Sequence, residues 1–179
     1  RRLGDRTILE HVISRLRPQV DGLLLNANGP AERFARFALP VAADVLDEPA
    51  GPLGGILTGL EWARRHSPDC QWIVSVPSDT PFLPEDLVVR LLAVRDGGFE
   101  IVCASSLGRM HPVVGLWPVT LAEPLREALV VEGVRRVRAW TGRYVPGEAD
   151  FGTEGGIDPF FNVNRPDDLA MAEAMLRGG

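Results

Sequence analysis

The stretch Gln71–Pro84, QWIVSVPSDTPFLP, constrains the fold more than any other part of the sequence. Trp72–Val76 is a short apolar, β-branched run, which is typical of a buried strand. Pro77 ends that strand because proline has no N–H to donate to a sheet. A polar turn follows, and a new helix can begin near Pro84. The stretch therefore predicts that Asp79 lies at the carboxyl end of a central strand, where open α/β sheets bind ligands.

The same alternation of strand and helix extends along the chain. Helical spacing of apolar residues, or a capping pattern such as Thr7–Glu10, predicts helices over residues 7–17, 30–37, 52–65, 84–94, 121–130, 134–140 and 166–176. Short apolar runs predict strands over residues 23–25, 41–45, 72–76, 100–104, 111–117, 143–146 and 160–164, with a loop over 105–110. This order predicts an α/β protein with a mainly parallel sheet and helices on both faces.

Composition excludes some classes of partner. The 179 residues carry a formal net charge of −5, which argues against binding to nucleic acid or to an anionic membrane. Cys70 and Cys103 belong to no metal-spaced cluster, so we expect buried free thiols in a reducing compartment, the cytoplasm. No apolar run is long enough to cross a bilayer, and no signal peptide is recognisable.

Polar clusters lie at the ends of four of the predicted strands. They are Asn26–Asn28, Asp47–Glu48, Ser78–Thr80 and Asn162–Asn164. Because parallel strands share one carboxyl edge, these clusters are expected to converge on a single crevice. An amide and an acid can hydrogen-bond to a nucleobase or ribose, and Asp79 can hold Mg²⁺ that is bound to phosphates. An Asx-turn before Pro81 would also explain Asp79.

Other candidate residues carry weaker signals. Gly54 and Gly55 open a helix, where bare N–H groups could face an anion or a base, or where a tight turn could simply allow close packing. His111 lies at a loop-to-strand junction, and we favour a pocket-lining role over a structural hydrogen bond. No Ser-His-Asp or Cys-His arrangement stands out, and ligands at zinc spacing are lacking.

Six motifs in order resemble the molybdenum cofactor guanylyltransferase (MobA) family across nearly the whole chain. They are LLNAN ending at Asn28, then Asp47, GPLGGI from Gly51, SDTPF from Ser78, RMHPVVGLW from Arg109, and FNVNRP from Phe161. Each motif is weak alone, but the six together in this order are specific.

The resemblance implies a three-layer Rossmann-like nucleotidyltransferase, here one domain over residues 1–179. It implies transfer of GMP from GTP, with Mg²⁺, to molybdopterin carrying molybdenum, with release of pyrophosphate. Asn26 and Asp47 would contact the guanosine part of GTP, and Asp79 would contact GTP and hold Mg²⁺. Asn162 and Asn164 would lie near the metal or the pterin, and His111 would line the substrate pocket. Proteins of molybdenum insertion and molybdoenzyme maturation are the implied partners.

Members of this family begin with a strand, a loop of the type L-A-G-G-x-S-x-R-M-G and an Asp-Lys pair, which together hold the triphosphate. Here Arg1–Thr7 corresponds to the residues just after that segment, and all 19 basic residues are Arg. We expect the N-terminal strand and loop to be missing from this sequence, and a polypeptide limited to it to be inactive and poorly stable.

Two alternatives remain open at this point. One is a molybdopterin cytidylyltransferase or another nucleotidyltransferase of the same fold, although the Asp79-Thr80-Pro81 triplet favours the guanylyl branch. The other is a non-catalytic module that binds a nucleotide or a partner protein. A preference for CTP over GTP would indicate the first alternative. Loss of the glycine-rich loop from the encoded protein would indicate the second.

Overall fold

A computed structural model describes residues 1–153 and 156–178. The α-helices are α1 Ile8–Leu16, α2 Pro52–His66, α3 Leu87–Arg95, α4 Ala122–Val130, α5 Val137–Thr141 and α6 Pro166–Gly178. The strands are β1 Arg2–Leu3, β2 Arg6–Thr7, β3 Leu25–Asn26, β4 Val41–Ala42, β5 Trp72–Ser75, β6 Val102–Ser106, β7 Arg109–Pro118 and β8 Gly147–Asp150. Short 3₁₀ helices cover Arg17–Gln19, Ala31–Phe37 and Val119–Leu121.

The central sheet has four strands in the order β5-β7-β6-β8. Strand β7 is antiparallel to both β5 and β6, and β6 is parallel to β8, so β5, β6 and β8 share one direction. Strands β3 and β4 form a separate parallel pair, and β1 and β2 a short antiparallel one. The predicted α/β class is confirmed, with β7 as the reversed strand.

Helices cover both faces of the central sheet, which produces three layers. On one face, Cys103 and Trp117 pack against buried residues of α2, α4 and α5. On the other face, Val102 and Ala104 pack against α1 and α3. Neighbouring residues of β6 thus enter opposite cores because side chains alternate along a strand.

The sequence located the first helix correctly. Thr7 caps α1, its hydroxyl accepts a hydrogen bond from the backbone N–H of Glu10, and the Glu10 carboxylate accepts one from the backbone N–H of Thr7. This reciprocal pair is the predicted capping box. It satisfies N–H groups that a helix start would otherwise leave unpaired.

Three local predictions were wrong. Residues 105–110 do not form a long loop, because β6 and β7 are joined by a hairpin at Leu107–Gly108, both with positive φ. The strand expected over 143–146 lies later, at Gly147–Asp150, where it pairs with β6. Residues 160–164 form no strand in the part of the chain that the structure describes. Individual hydrogen bonds to distant or neighbouring residues hold their backbone instead.

Strand β7 is irregular near its start. Its register against β6 shifts between Cys103, which faces Gly115, and Ala104, which faces His111. Pro112 lies within the shift, and a proline is tolerated there because the bulged residues need not donate to the ladder. The bulge leaves His111 paired with Ala104, two residues before the end of β6.

Both cysteines are free thiols, as predicted, but only Cys103 is buried, whereas Cys70 is half-buried. Burial raises the pKa of the Cys103 thiol to about 12. None of the described helices combines the length and the apolar character that a membrane crossing requires.

Candidate nucleotide and metal site

Asp79 lies in the turn after β5, as the sequence predicts, but β5 is an edge strand of the four-stranded sheet that the structure describes and not a central one. Its side chain accepts a hydrogen bond from Asn162 Nδ2 at 2.8 Å, received by Oδ1. Its backbone oxygen accepts a second hydrogen bond, from the N–H of Val163, at 2.9 Å. The structure therefore brings two predicted site residues, Asp79 and Asn162, into direct contact. The buried Thr80 fixes the turn by donating to the Pro77 oxygen at 3.0 Å.

Asp79 lines an open cavity of about 490 Å³ together with Asn164. The lining also includes Arg33 and Arg36, which lie on the 3₁₀ helix Ala31–Phe37. The lining of the cavity thus combines a carboxylate and an amide with guanidinium groups. Guanidinium groups match the geometry of phosphate oxygens, so the cavity suits an anionic ligand with a bound cation.

A second polar cluster lies on the β3–β4 pair. Asn26 Nδ2 donates to Asp44 Oδ1 at 3.0 Å and to the Ala42 oxygen at 3.1 Å. Asn28 donates to the other oxygen of Asp44 at 2.8 Å, and its own oxygen accepts from the Asp44 N–H at 2.9 Å. Asp44 therefore uses both carboxylate oxygens to hold two asparagines in place.

The start of α2 packs directly on this cluster. A Cβ atom placed on Gly55 would lie 2.7 Å from Asn26 Oδ1, so only glycine leaves room for the Asn26 side chain. Thr58 ties the preceding loop to the helix, because its hydroxyl accepts from the Val45 N–H at 3.1 Å and donates to the Gly54 oxygen at 2.9 Å. Of the two interpretations of the glycines, this geometry supports close packing at Gly55.

The structure does not bring Asp47 to this cluster. Asp47 is exposed, and its side chain makes no hydrogen bond or ion pair within residues 1–153 and 156–178. Asp44 occupies the place expected for Asp47. The sequence signal was available, since Asp44 closely follows β4, but the strand was predicted to run to residue 45. Whether Asp47 contacts a nucleotide stays a prediction.

His111 belongs to a hydrogen-bonded group that the sequence analysis missed. Its Nε2 lies 2.8 Å from the Ser106 hydroxyl, which donates to Asp158 Oδ1 at 2.7 Å. The His111 ring also lies 4.8 Å from the ring of Phe160. Burial lowers the pKa of His111, the charge of Asp158 opposes that shift, and Arg109 adds to it. These contacts give His111 the structural hydrogen bond that was the less favoured interpretation.

The described residues contain no group of three or more His, Cys, Asp or Glu side chains that could hold a metal by themselves. Mg²⁺ needs no such group, because it is usually held by one or two carboxylates, water and substrate phosphates. Within the described chain, Asp79 Oδ1 accepts from Asn162 while Oδ2 has no hydrogen-bond donor. An unpaired carboxylate oxygen on a residue that lines the cavity fits a hard cation that shares its coordination with a phosphate.

The family model described as "MobA-like NTP transferase domain" matches residues 1–146. The chain is 49% identical over 174 residues to a molybdenum cofactor guanylyltransferase of Rhodopseudomonas palustris (strain BisB5), covering 97% of this chain and 82% of the relative. It is 50% identical over 178 residues to the enzyme of that name from Mesorhizobium japonicum, covering 98% and 85% of the two chains.

Solved structures share the fold at low sequence identity. Molybdopterin-guanine dinucleotide biosynthesis protein A from Archaeoglobus fulgidus superposes with a TM-score of 0.76 at 18% identity, covering 99% of this chain and 89% of its own. The 4-diphosphocytidyl-2C-methyl-D-erythritol synthase of Anaerococcus prevotii gives a TM-score of 0.74 at 11% identity, covering 98% and 88%. At these identities the likeness concerns the fold alone.

Proposed function

The chain belongs to the MobA-like NTP transferase family, and on that premise we propose that it transfers GMP from GTP to molybdopterin that carries molybdenum. Pyrophosphate is the second product. Relatives named for guanylyl transfer match this chain over 97% of its length or more. We propose further that residues 1–179 act as one nucleotidyltransferase domain.

One observation carries the assignment of the site. Asp79 is held by Asn162 and lines a cavity whose lining also includes Arg33 and Arg36. A carboxylate at the end of a strand is held still, while the free Oδ2 remains available to a cation. This combination supports a metal-dependent reaction of phosphates, and we assign the metal as Mg²⁺.

Nucleotide recognition is assigned to the second cluster. Asn26 is exposed, and its side-chain orientation is set by Asp44, Ala42 and Gly55. An amide in a fixed orientation discriminates between hydrogen-bond donors and acceptors, which is what selection of a base requires. We therefore assign Asn26 to the guanosine part of GTP, with Asp44 as the acid that orients it. Asp47 remains a candidate contact from the exposed loop.

The reaction requires no covalent protein intermediate. A phosphate oxygen of the pterin attacks the α-phosphorus of GTP, a new P–O bond forms, and the bond to the β-phosphate breaks. The residues of the chain position the pterin phosphate in line with the α-phosphate of GTP, and they place charged side chains near both groups. Mg²⁺ bound at Asp79 would neutralise the charge that develops on the phosphate oxygens.

The second substrate is assigned to the side of the cavity lined by Asn164. Asn164 is exposed and its backbone N–H is already held by Asp168 at 2.9 Å, so its side chain is presented from a fixed backbone. Asn162 contacts Asp79, so we assign it to a position between the metal and the pterin. We propose that His111 acts on this region indirectly, through its hydrogen bond with Ser106 and the hydrogen bond from Ser106 to Asp158. Proteins that insert molybdenum or mature molybdoenzymes are the proposed partners for delivery and release.

The test is calorimetric binding of GTP, CTP and ATP, with and without Mg²⁺, to the protein produced from its complete reading frame. We expect GTP to bind preferentially and only in the presence of Mg²⁺. Asp79→Ala should weaken binding at least tenfold at fixed Mg²⁺, which corresponds to about 1.4 kcal/mol. Formation of the dinucleotide product from GTP and molybdopterin should fall in parallel.

The matched control is Asp69→Ala, which removes an exposed carboxylate from the loop before β5 and should leave binding unchanged. Preference for CTP would replace the guanylyl assignment by a cytidylyl one. Nucleotide binding without any product formation would favour the non-catalytic module. Binding that is indifferent to Asp79→Ala would remove the metal assignment.

A further inference from the structure

We propose that Ser106, His111 and Asp158 form an anchor that positions Asn162 on Asp79 and thereby sets the affinity of the site for its cation. The three residues lie on β6, β7 and the segment before α6, and they are called the Ser106 anchor below. They are positioning residues, since none of them contacts Asp79 directly. The proposal rests on the proposed function, because it presumes a cation at Asp79.

The hydrogen bonds of the anchor have a defined direction. The Ser106 side chain is fully buried, and its oxygen lies 2.8 Å from His111 Nε2 and 2.7 Å from Asp158 Oδ1. A carboxylate only accepts, so the hydroxyl donates its one proton to Asp158. The hydroxyl oxygen then accepts from His111, which assigns the imidazole proton to Nε2.

Asp158 transmits this arrangement to the following turn. Its Oδ1 also accepts from the Phe160 N–H at 3.0 Å, and its backbone oxygen accepts from the Phe161 N–H at 3.1 Å. The Phe160 side chain is buried and packs against the His111 ring at 4.8 Å. The turn is thus fixed by hydrogen bonds on one side and by an aromatic contact on the other.

The contacts with Asp79 begin directly after that turn. Asn162 donates to Asp79 Oδ1 at 2.8 Å, and the next residue, Val163, donates its N–H to the Asp79 oxygen at 2.9 Å. Residues 160–165 form no helix or strand in the described chain, so no ladder of backbone bonds holds them. The position of Asn162 therefore depends on Asp158 before it and on the buried Val163 after it.

A cation ligand is sensitive to such support. Groups that orient a metal-binding side chain commonly change metal affinity 10- to 100-fold when they are removed. Without the Ser106 hydroxyl, Asp158 and His111 lose their shared partner, and the turn that carries Asn162 gains freedom. Asp79 then loses a fixed donor on Oδ1, and the carboxylate samples orientations that do not present Oδ2 to the cavity.

The neighbouring residue offers a matched control. Ser105 is also buried on β6, but its hydroxyl has no hydrogen-bond partner within the described residues. Ser105→Ala and Ser106→Ala remove the same atom from adjacent positions of one strand. We expect Ser106→Ala to raise the Mg²⁺ concentration for half-maximal GTP binding about tenfold, and Ser105→Ala to leave it within twofold of the wild type.

A double-mutant cycle separates positioning from general destabilisation. If the anchor acts through Asn162, Ser106→Ala changes the Mg²⁺ requirement much less in an Asn162→Ala background than in the wild type. Thermal unfolding of each variant shows that binding is measured on folded protein. If Ser106→Ala does not fold, Asp158→Asn, which keeps an acceptor oxygen, is expected to raise the Mg²⁺ requirement about threefold in the same cycle.

The outcomes distinguish the two proposals. If the wild type shows no Mg²⁺-dependent GTP binding, the proposed function is wrong and the anchor proposal is wrong with it. If Asp79→Ala retains that binding, the metal assignment at Asp79 is wrong, and the anchor proposal is again wrong with it. If those two proteins behave as proposed but Ser106→Ala matches Ser105→Ala, the anchor proposal alone is wrong. Full additivity of Ser106→Ala and Asn162→Ala overturns it as well.

Discussion

Substitution of Gly55 by alanine tests whether Asn26 recognises the nucleotide. Gly55 lies in the first turn of α2, and an added Cβ would meet Asn26 Oδ1 at 2.7 Å. That separation is shorter than any normal carbon–oxygen contact, so the Asn26 side chain must turn away. In doing so it gives up its hydrogen bonds to Asp44 and to the Ala42 oxygen.

The effect on stability is expected to be small because two contributions oppose each other. Alanine is better than glycine inside a helix by about 1 kcal/mol. Two hydrogen bonds of about 0.5–1.5 kcal/mol each are lost, although water replaces them in part because Asn26 is exposed. We therefore expect the free energy of unfolding to fall by no more than about 2 kcal/mol.

The effect on GTP affinity should be much larger than the effect on stability. A misplaced amide removes at least one specific hydrogen bond to the base and leaves its partner unsatisfied, which costs about 1–3 kcal/mol. That range corresponds to roughly 5- to 150-fold weaker binding. Calorimetry with GTP and urea unfolding on the same samples measure the two quantities.

Gly59→Ala is the control, since it lies in the same helix and its nearest obstacle is the flexible end of Ile73, Cδ1 at 3.0 Å. It gains the same helix propensity without touching Asn26. The assignment of Asn26 is refuted if Gly55→Ala and Gly59→Ala bind GTP equally well. It is also refuted if Gly55→Ala weakens GTP binding as much in an Asn26→Ala background as in the wild type.

Two further predictions concern the acids of this half of the protein. Asp44→Ala should weaken GTP binding about tenfold, more than Asp47→Ala, because only Asp44 orients Asn26; equal losses in calorimetry would contradict that ranking. Glu61 is buried between Arg65 and Arg126, each at 2.6 Å, and hydrogen bonding to Arg126 lowers its pKa. Its contribution is therefore complete above the ordinary pKa of 4.5 and is lost as the pH falls through the lowered value. Glu61→Gln should reduce stability by about 1–3 kcal/mol at pH 7, and thermal unfolding should show that the deficit shrinks as the pH falls through the lowered pKa of Glu61; a deficit that does not vary with pH would be inconsistent with this ion pair.

The sequence predicted those features of the fold that depend on local spacing. The apolar run at Trp72 predicted β5, and the Thr7–Glu10 pattern predicted the capped start of α1. Both signals arise from neighbours within one or two turns of the chain. The strand predicted over residues 160–164 is not found in the described chain, because individual hydrogen bonds to distant or neighbouring residues hold its backbone. Its apolar residues pack individually in a turn, and a pattern of five residues does not distinguish such a turn from a strand.

The candidate site was predictable only in part. Asp79 and Asn162 were both identified from their places after apolar runs, but their contact joins residues 83 positions apart. Asp44 was missed because the predicted end of β4 was too late. The Ser106 anchor was missed because its members are ordinary residues until the hairpin and the turn before α6 bring them together across 52 positions.

The sequence by itself therefore determined the layered α/β architecture, the family and the strand end that carries Asp79. These features follow from hydrophobic periodicity and from motif order, and both can be recognised from the order of residues along the chain. The tertiary structure decided which polar groups share hydrogen bonds. Asp44 rather than Asp47 meets Asn26, and Ser106 connects His111 to Asp158. Such pairings depend on strand register and on the connections between the strands of the sheet. Both are fixed only when the apolar faces pack together.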